Sequence, residues 1–261
     1  MGDINYNLLV DDMTFSYSRI NTYHSCPYGW KLNYIDELKP TGKFYSSYGK
    51  LIHQILERYF DGSITKSEMP IEFLTKFEDL QGVRPSAKIV ECYIRDGLEY
   101  LRGFEDFDLN KVAIEEKVEF DIKGIPMIGI IDFIGERDGE YIIVDHKSHR
   151  LKQRSKGVKQ RKSDVELDEY LRQLYLYSTA IYDKFGKFPT ELWFNCFRNG
   201  EIIKEQFNKE KYDESVRWVV ETVDAIKADT DFEPNYDYFY CRWICGQSSN
   251  CEIFLDEVMN V

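Results

Sequence analysis

The stretch Gly129-Ile130-Ile131-Asp132, followed after a short turn by Ile142-Ile143-Val144-Asp145-His146-Lys147-Ser148, decides how this chain reads. Two apolar runs each end in a carboxylate, and the second adds Lys147 two residues on. Strand side chains alternate faces, so Ile143, Asp145 and Lys147 share one face. A carboxylate and an ammonium at the end of a hydrophobic strand cost desolvation free energy unless something pairs with them. A divalent cation and a phosphate have the right charges to do so. Alone, Asp-x-Lys is a common tripeptide whose ordinary meaning is a surface ion pair.

Working outward, Asp138-Gly139 between the two runs is a strong hairpin signal. Upstream, Val112, Ile114, Val118 and Phe120 alternate with polar residues and predict a first strand. Gly124 turns it into a second strand over Ile125–Ile134, and a third covers Tyr141–Lys147. Glu116 has the parity of the apolar positions, so it is expected to point inward beside Asp132 and Asp145. Glu115, Lys117 and Glu119 are expected to face solvent. Three converging carboxylates repel one another unless a cation intervenes, and hard oxygen donors suit Mg²⁺ or Mn²⁺. Such an ion activates water and stabilises charge on a phosphoryl group. Lys147 would stand beside that water or the scissile phosphate.

The flanks are helical in pattern. Ser18 is expected to cap a short helix through Tyr23, and Pro27 to open one running to about Asp36. Tyr48, Leu51, Ile52, Ile55, Leu56 and Tyr59 recur at three and four across a helix over 45–60, ended by Asp61-Gly62. Further helices fit 71–80, 86–104, 165–185 and 211–228. Leu192–Arg198 and Ile202–Phe207 read as two more strands joined by Asn199-Gly200. The order predicts an α/β fold, a mixed sheet flanked by helices. It divides into a helical region over 1–104, a core over 105–230 and a Cys-bearing tail over 231–261, integrated as one domain.

With these residues in place, the chain resembles the PD-(D/E)XK nuclease superfamily, in its RecB-like branch. Gly49-Lys50-Leu51-Ile52-His53, with Glu57, is similar to that branch's Gly-x-x-x-His helix. Gly129 to Asp132 matches its Gly-x-x-Asp, Asp145-His146-Lys147 its Asp-x-Lys, and Gln173 to Tyr177 its Gln-x-x-x-Tyr. Each motif is weak, but all four occur in the family's order. The resemblance implies a restriction-endonuclease-like fold and metal binding by His53, Asp132, Asp145 and the backbone carbonyl of His146. It also implies catalysis by Lys147 and a nucleic-acid-facing Gln173 and Tyr177, which lie one helical turn apart.

The cysteines are unevenly placed: Cys26 before Pro27, then Cys241, Cys245 and Cys251 near the end, with Cys92 and Cys196 in apolar surroundings read as buried thiols. Four thiolates can close a zinc site or hold a [4Fe–4S] cluster. Spacing does not separate the two. The resemblance does, because AddB-type and CRISPR-associated RecB-like nucleases place one Cys before the core and three after it around an iron–sulfur cluster. Ser16-Tyr17-Ser18-Arg19 through Tyr23 to Cys26-Pro27-Tyr28 is similar to their N-terminal pattern. The three-residue interval between Cys241 and Cys245 departs from the usual two, and the five before Cys251 agree with the family.

Between the Asp-x-Lys strand and the Gln-x-x-x-Tyr helix lie Arg150, Lys152, Arg154, Lys156, Lys159, Arg161 and Lys162, seven cations in 13 residues. This polar stretch is expected to stay mobile until a phosphate backbone arrives. The net charge of −12 argues against a generally basic nucleic-acid coat but not against such a patch. No apolar run approaches a membrane span. Met1-Gly2 opens like a myristoylation signal, but Tyr6 stands where that signal needs Ser or Thr. A soluble cytoplasmic protein of a bacterial, archaeal or phage-infected cell is expected. The function implied is metal-dependent exonuclease action on DNA ends, in recombination, repair, phage replication or CRISPR adaptation. No Gly-x-x-x-x-Gly-Lys-Ser/Thr is present, so unwinding would fall to a partner such as a helicase. Two other readings stand beside it, a silent nucleic-acid-binding subunit and a zinc-stapled adaptor.

Overall fold

A computed structural model describes residues 7–157 and 159–259. The Met1-Gly2 start with Tyr6, and Val158 of the basic stretch, lie outside the described residues. Among the described residues the chain opens with α1 (Asn7–Asp11), α2 (Tyr17–Ser25), α3 (Pro27–Tyr34), α4 (Phe44–Phe60), α5 (Met69–Phe77) and α6 (Ala87–Gly103). The sheet follows as β1 (Asn110–Ile122), β2 (Ile125–Arg137) and β3 (Glu140–Lys147), then α7 (Lys162–Phe185), β4 (Glu191–Cys196) and β5 (Glu201–Gln206). The chain continues through α8 (Lys209–Ala228), α9 (Tyr238–Trp243) and α10 (Glu252–Met259).

The strands lie in sequence order, with β3 and β4 parallel and the other neighbours antiparallel. Antiparallel steps need only hairpins, whereas the parallel step needs a crossover. The 24-residue α7 supplies it. The β2–β3 hairpin turns on Asp138-Gly139, both at positive φ (55° and 81°), as that dipeptide favours. Helices cover both faces of the sheet. On one face α7 and α8 pack Leu171, Leu174, Val219 and Val223 against Ile131, Ile143 and Phe194. On the other, α4, α5 and α6 pack Ile52, Leu56, Phe73 and Leu101 against Phe133, Val144 and Trp193. This is the α/β mixed sheet flanked by helices that the sequence predicts.

Local details differ from the sequence reading. The cap of α2 is Ser16, whose hydroxyl accepts from Arg19 N at 3.2 Å, and not Ser18. Cys196 is buried as expected, but Cys92 is only half-buried. The tail folds into two short helices, and it docks back on the start of the chain. Gln247, fully buried, donates to Asn33 Oδ1 (2.8 Å) and the Leu38 carbonyl (2.7 Å). Thr41 N donates to the Gly246 carbonyl at 2.8 Å, and Lys43 Nζ reaches Ser248 Oγ at 2.6 Å.

Candidate functional site

The site forms where the sheet forks. Pairing between β2 and β3 runs from Arg137↔Glu140 to Phe133↔Val144 and ends there. Beyond that pair β2 stays with β1 and β3 stays with β4. Asp132 and Asp145 are the first residues past the fork, so the two motif carboxylates face a gap between strands. Asp132 Oδ2 accepts from His146 N at 2.7 Å and holds the fork's two sides together. From above, α4 delivers His53, whose Nδ1 lies 3.6 Å from Asp132 Oδ2 and whose Nε2 lies 3.0 Å from the His146 carbonyl.

The third carboxylate is Glu115, and this corrects the expectation for Glu116. Ligand atoms of His53, Glu115 and Asp132 all lie within 4.8 Å of one another. Glu116 instead pairs with Lys184 on α7, away from this group. Strand parity fails here for a local reason. Glu115 has φ +44°, in the left-handed region that a strand residue rarely visits. Ile114 before it packs with the α4–α6 core, while Glu116 after it faces α7, so two residues of equal parity fall on opposite faces. The partner strand switches in step: Ile131 belongs to the α7–α8 core and Phe133 to the α4–α6 core. Backbone strain of this kind concentrates at functional sites. No sequence signal in the strand marks it.

The expectation that Ile143, Asp145 and Lys147 share a face holds in the structure. Lys147 Nζ lies 2.9 Å from Asp145 Oδ2 and donates to Gln173 Oε1 at 2.8 Å. Gln173 Nε2 in turn donates to Tyr177 OH at 3.1 Å. The Tyr177 ring lies against Gly129, where any Cβ would collide with it. The glycine of Gly-x-x-Asp and the tyrosine of Gln-x-x-x-Tyr are thus one packing contact. Asp145 is 4 % exposed, and its Oδ2 forms an ion pair with Lys147 Nζ at 2.9 Å but accepts from no second donor. A buried charge with a single partner still carries a desolvation cost in the isolated protein.

Electrostatics follow from burial and crowding. Burial, then the neighbouring Asp132 charge, pushes the Glu115 carboxyl up to about 7. Burial also raises Asp145, against the pull of Lys147. Asp132 goes the other way: burial opposes its charge, but His53 and the His146 N–H outweigh it and lower the value. His53 is held up because Asp132 overcomes the cost of burial. The His146 ring points to the opposite face, where burial lowers it to about 3 and so keeps it neutral. There it stacks on Phe60 and Phe107, and its Nδ1 lies 3.0 Å from Asn195 Nδ2, which also reaches Tyr100 OH at 2.6 Å. Only the backbone of His146 therefore faces the site. Asn195 and Tyr100, which nothing in the sequence marks, fix its ring.

Around these groups a cleft of about 470 Å³ is lined by Tyr45, Gly49, Lys50, His53, Glu57, Glu115 and Ser148. A larger depression of about 530 Å³ is lined by Asp96, Tyr100, Arg150, Asn195 and Arg198. Its lining meets β3 through Asn195 beside His146 and through Phe197, whose N–H donates to the Lys147 carbonyl at 3.1 Å, and among the described residues it holds no group of three converging metal-ligand atoms.

The family model of the PD-(D/E)XK nuclease superfamily matches residues 14–252. The chain belongs to that superfamily. The match takes in every motif named above, and the mixed sheet has the restriction-endonuclease-like arrangement. Among solved structures, the chain is similar to a Eubacterium rectale protein provisionally described as an exonuclease. The TM-score is 0.55 at 13 % identity, over 96 % of this chain and 92 % of that one, a likeness of fold. A likeness to SSO0001 has a TM-score of 0.31 at 16 % identity, over 78 % and 84 % of the two chains, and carries no argument. No curated protein matches the sequence. Nuclease membership makes phosphodiester bonds of DNA the relevant chemistry for the cleft.

The basic stretch contradicts the expectation of a mobile loop. Arg154 is clamped between Asp168 Oδ1 (2.7 Å) and Glu205 Oε2 (2.8 Å). Ser155 donates to Asp164 through both its N–H (2.8 Å) and its hydroxyl (2.6 Å), and Leu151 is buried. Arg150 reaches Asp96 at 2.6 Å. Lys152, Lys156, Lys159, Arg161 and Lys162 are exposed. At the other end, Cys26 and Cys245 flank the same glycine, and among the described residues no three cysteine sulfurs come within 4.8 Å of one another. A Cβ on Gly29 would lie 3.6 Å from Cys26 Sγ and 3.9 Å from Cys245 Sγ. Cys26, Cys241 and Cys251 all lie within electrostatic reach of Cys245. Cys26 Sγ accepts from Gly29 N at 3.3 Å and from Asn235 N at 3.5 Å. Among the described helices none is long and apolar enough to cross a membrane.

Proposed function

We propose that the protein is a divalent-metal-dependent deoxyribonuclease that works from DNA ends. The observation that carries this is the His53–Glu115–Asp132 group that converges within 4.8 Å, beside the buried Asp145–Lys147 ion pair. His53, Glu115, Asp132, Asp145 and the His146 carbonyl would hold the ion, Mg²⁺ or Mn²⁺ by the hardness of their oxygens. When bound, it supplies Lewis-acid stabilisation of phosphoryl charge and a more acidic water. Gln173 and Asp145 fix Lys147 Nζ at the mouth of the fork, where it donates to a phosphate oxygen or orients the attacking water. Tyr177 holds Gln173, and the Asn195–Tyr100 contacts hold His146, so the backbone atoms flanking the catalytic strand do not drift. Lys152, Lys156, Lys159, Arg161 and Lys162 present exposed charge to the phosphate backbone. Arg150 and Arg154 instead fix the course of the loop that carries them.

Cys26, Cys241, Cys245 and Cys251 would hold a [4Fe–4S] cluster. The N–H donors from Gly29 and Asn235 to Cys26 Sγ suit a thiolate ligand. When bound, the cluster staples the two chain ends across the nuclease core, a closure of very long loop length. A helicase or recombinase would present the DNA end. The deciding experiment is a time course on single- and double-stranded DNA labelled at either end, with Mn²⁺ or with chelator. Shortening from an end that needs the metal and vanishes in Asp145→Ala is expected. Binding without cleavage in wild type and variant alike would leave only a DNA-binding subunit. A colourless, zinc-containing protein would refute the cluster.

A further inference from the structure

Tyr45 packs against Phe44 and Tyr93 at the edge of the α4–α6 core, and next to it two rings of α9 stay exposed. Tyr238 and Phe239, in the first turn of α9, are 57 % and 58 % exposed. The Phe239 ring lies 6.4 Å from that of Tyr45, with 31° between their planes. Trp243, one turn along α9, lies 6.3 Å from the same Tyr45 ring. Tyr45 is also a wall of the catalytic cleft, together with His53 and Glu115. Tyr45, Gly49 and His53 recur every four residues and so share one face of α4. Tyr45 stands about 12 Å from His53 along that helix. Gly49 between them puts no side chain in the path, and only Ser148 lies near the Cβ it lacks. Cations accompany the rings. Lys50 lines the cleft, and the Arg242 guanidinium sits 5.5 Å from the Trp243 ring centroid.

Rings with cations beside them, continuous with the proposed catalytic cleft, match the two surfaces of an unpaired nucleic-acid strand. The bases offer π-faces and the backbone offers charge. A duplex hides its base faces in the stack everywhere but at the terminal pair, so it offers the rings no run of bases. We propose that Tyr45, Phe239 and Trp243 form a stacking track for the unpaired bases of a single-stranded DNA end whose backbone enters the cleft along α4. This rests on the nuclease reading above and assigns its substrate as single-stranded at the end.

The test is fluorescence anisotropy of a short labelled oligothymidylate, with Ca²⁺ in place of Mn²⁺ so that the strand stays whole. An abasic strand of equal length and a blunt duplex serve as controls. Phe239→Ala is expected to weaken oligothymidylate binding roughly tenfold, the effect of losing one base-stacking ring, and to leave the abasic strand and the duplex unchanged. Tyr45→Ala should show the same selectivity. Phe239 is exposed, so its variant keeps the test decisive if Tyr45→Ala misfolds. Unchanged oligothymidylate affinity in Phe239→Ala, or an equal loss on the abasic strand, overturns the track. Wild-type cleavage in Mn²⁺ is scored separately. Cleavage with an unaltered Phe239→Ala affinity sinks the track alone. Base-selective binding without any cleavage sinks the nuclease reading and leaves the track standing.

Discussion

The fork in the sheet and the basic loop beside it carry similar groups and treat them in opposite ways. In the loop region every named carboxylate is saturated: Asp164 accepts from Ser155 N, Ser155 Oγ and Arg161 N, and Asp168 accepts from Arg154, Gln160 and Lys211. In the fork the carboxylates crowd one another, and the buried Asp145 Oδ2 has only the Lys147 ammonium beside it, at 2.9 Å. Saturated charge builds structure, and unsaturated buried charge costs free energy that a ligand can return. The composition of the two regions does not reveal this, because both are mixtures of Asp, Glu, Lys and Arg. Their pairing does.

The sharpest way to break this comparison is to neutralise one member of each set. Asp145→Asn is expected to lower the cleavage rate about a thousandfold, as for loss of one preorganised electrostatic group. It should leave the melting temperature of the metal-free protein within about 2 °C of wild type or raise it. Cleavage of end-labelled DNA and calorimetric melting check the two halves. Arg154→Ala should do the reverse. It strips donors from Asp168 and Glu205, which costs about 2 kcal/mol for charge-assisted bonds at a half-exposed site. That corresponds to a fall of roughly 4–8 °C in melting temperature, while the cleavage rate per folded molecule holds.

A smaller effect concerns pH. The Ser155 hydroxyl and N–H, then the Arg161 N–H, hold the Asp164 carboxyl down to about 2. A carboxyl depressed in the folded state adds stability above its unfolded value, about 3.9, and that stability is lost as pH falls through about 2. Asp164→Asn should therefore flatten the acid limb of the stability–pH curve below about pH 4 and lower the plateau above it. Urea titrations across that range read the change, and parallel curves would contradict it.

What was legible in the sequence divides along the same line. The hairpin at Asp138-Gly139, the amphipathic α4 and the shared face of Ile143, Asp145 and Lys147 rest on local periodicity, and the structure reproduces them. The ordered motifs single out His53, Asp132, Asp145, Lys147 and Gln173, and the fold brings these residues to the two sides of the fork. Parity failed at Glu115 because a single left-handed residue reverses which face the following side chain meets, and nothing about a Glu announces that conformation. The pinning of the loop does not show in the sequence because Arg154 and Ser155 meet Asp168 and Asp164 only once α7 has formed, and Asp96 and Glu205 lie far away in the chain. Asn195 and Tyr100 escaped for the same reason. Their work is done through His146, across elements that only the fold brings together.

The central claim is that the fork's crowded carboxylates are kept for a divalent cation, with Glu115 and not Glu116 among its ligands. Calorimetric titration of metal-free protein with Mn²⁺ tests it directly, comparing wild type with Glu115→Gln and Glu116→Gln. The account predicts one saturable binding event in wild type, weakened at least tenfold or so in Glu115→Gln, the scale of a perturbed metal site, and unchanged in Glu116→Gln. Equal affinities in all three proteins, or a loss confined to Glu116→Gln, would contradict it.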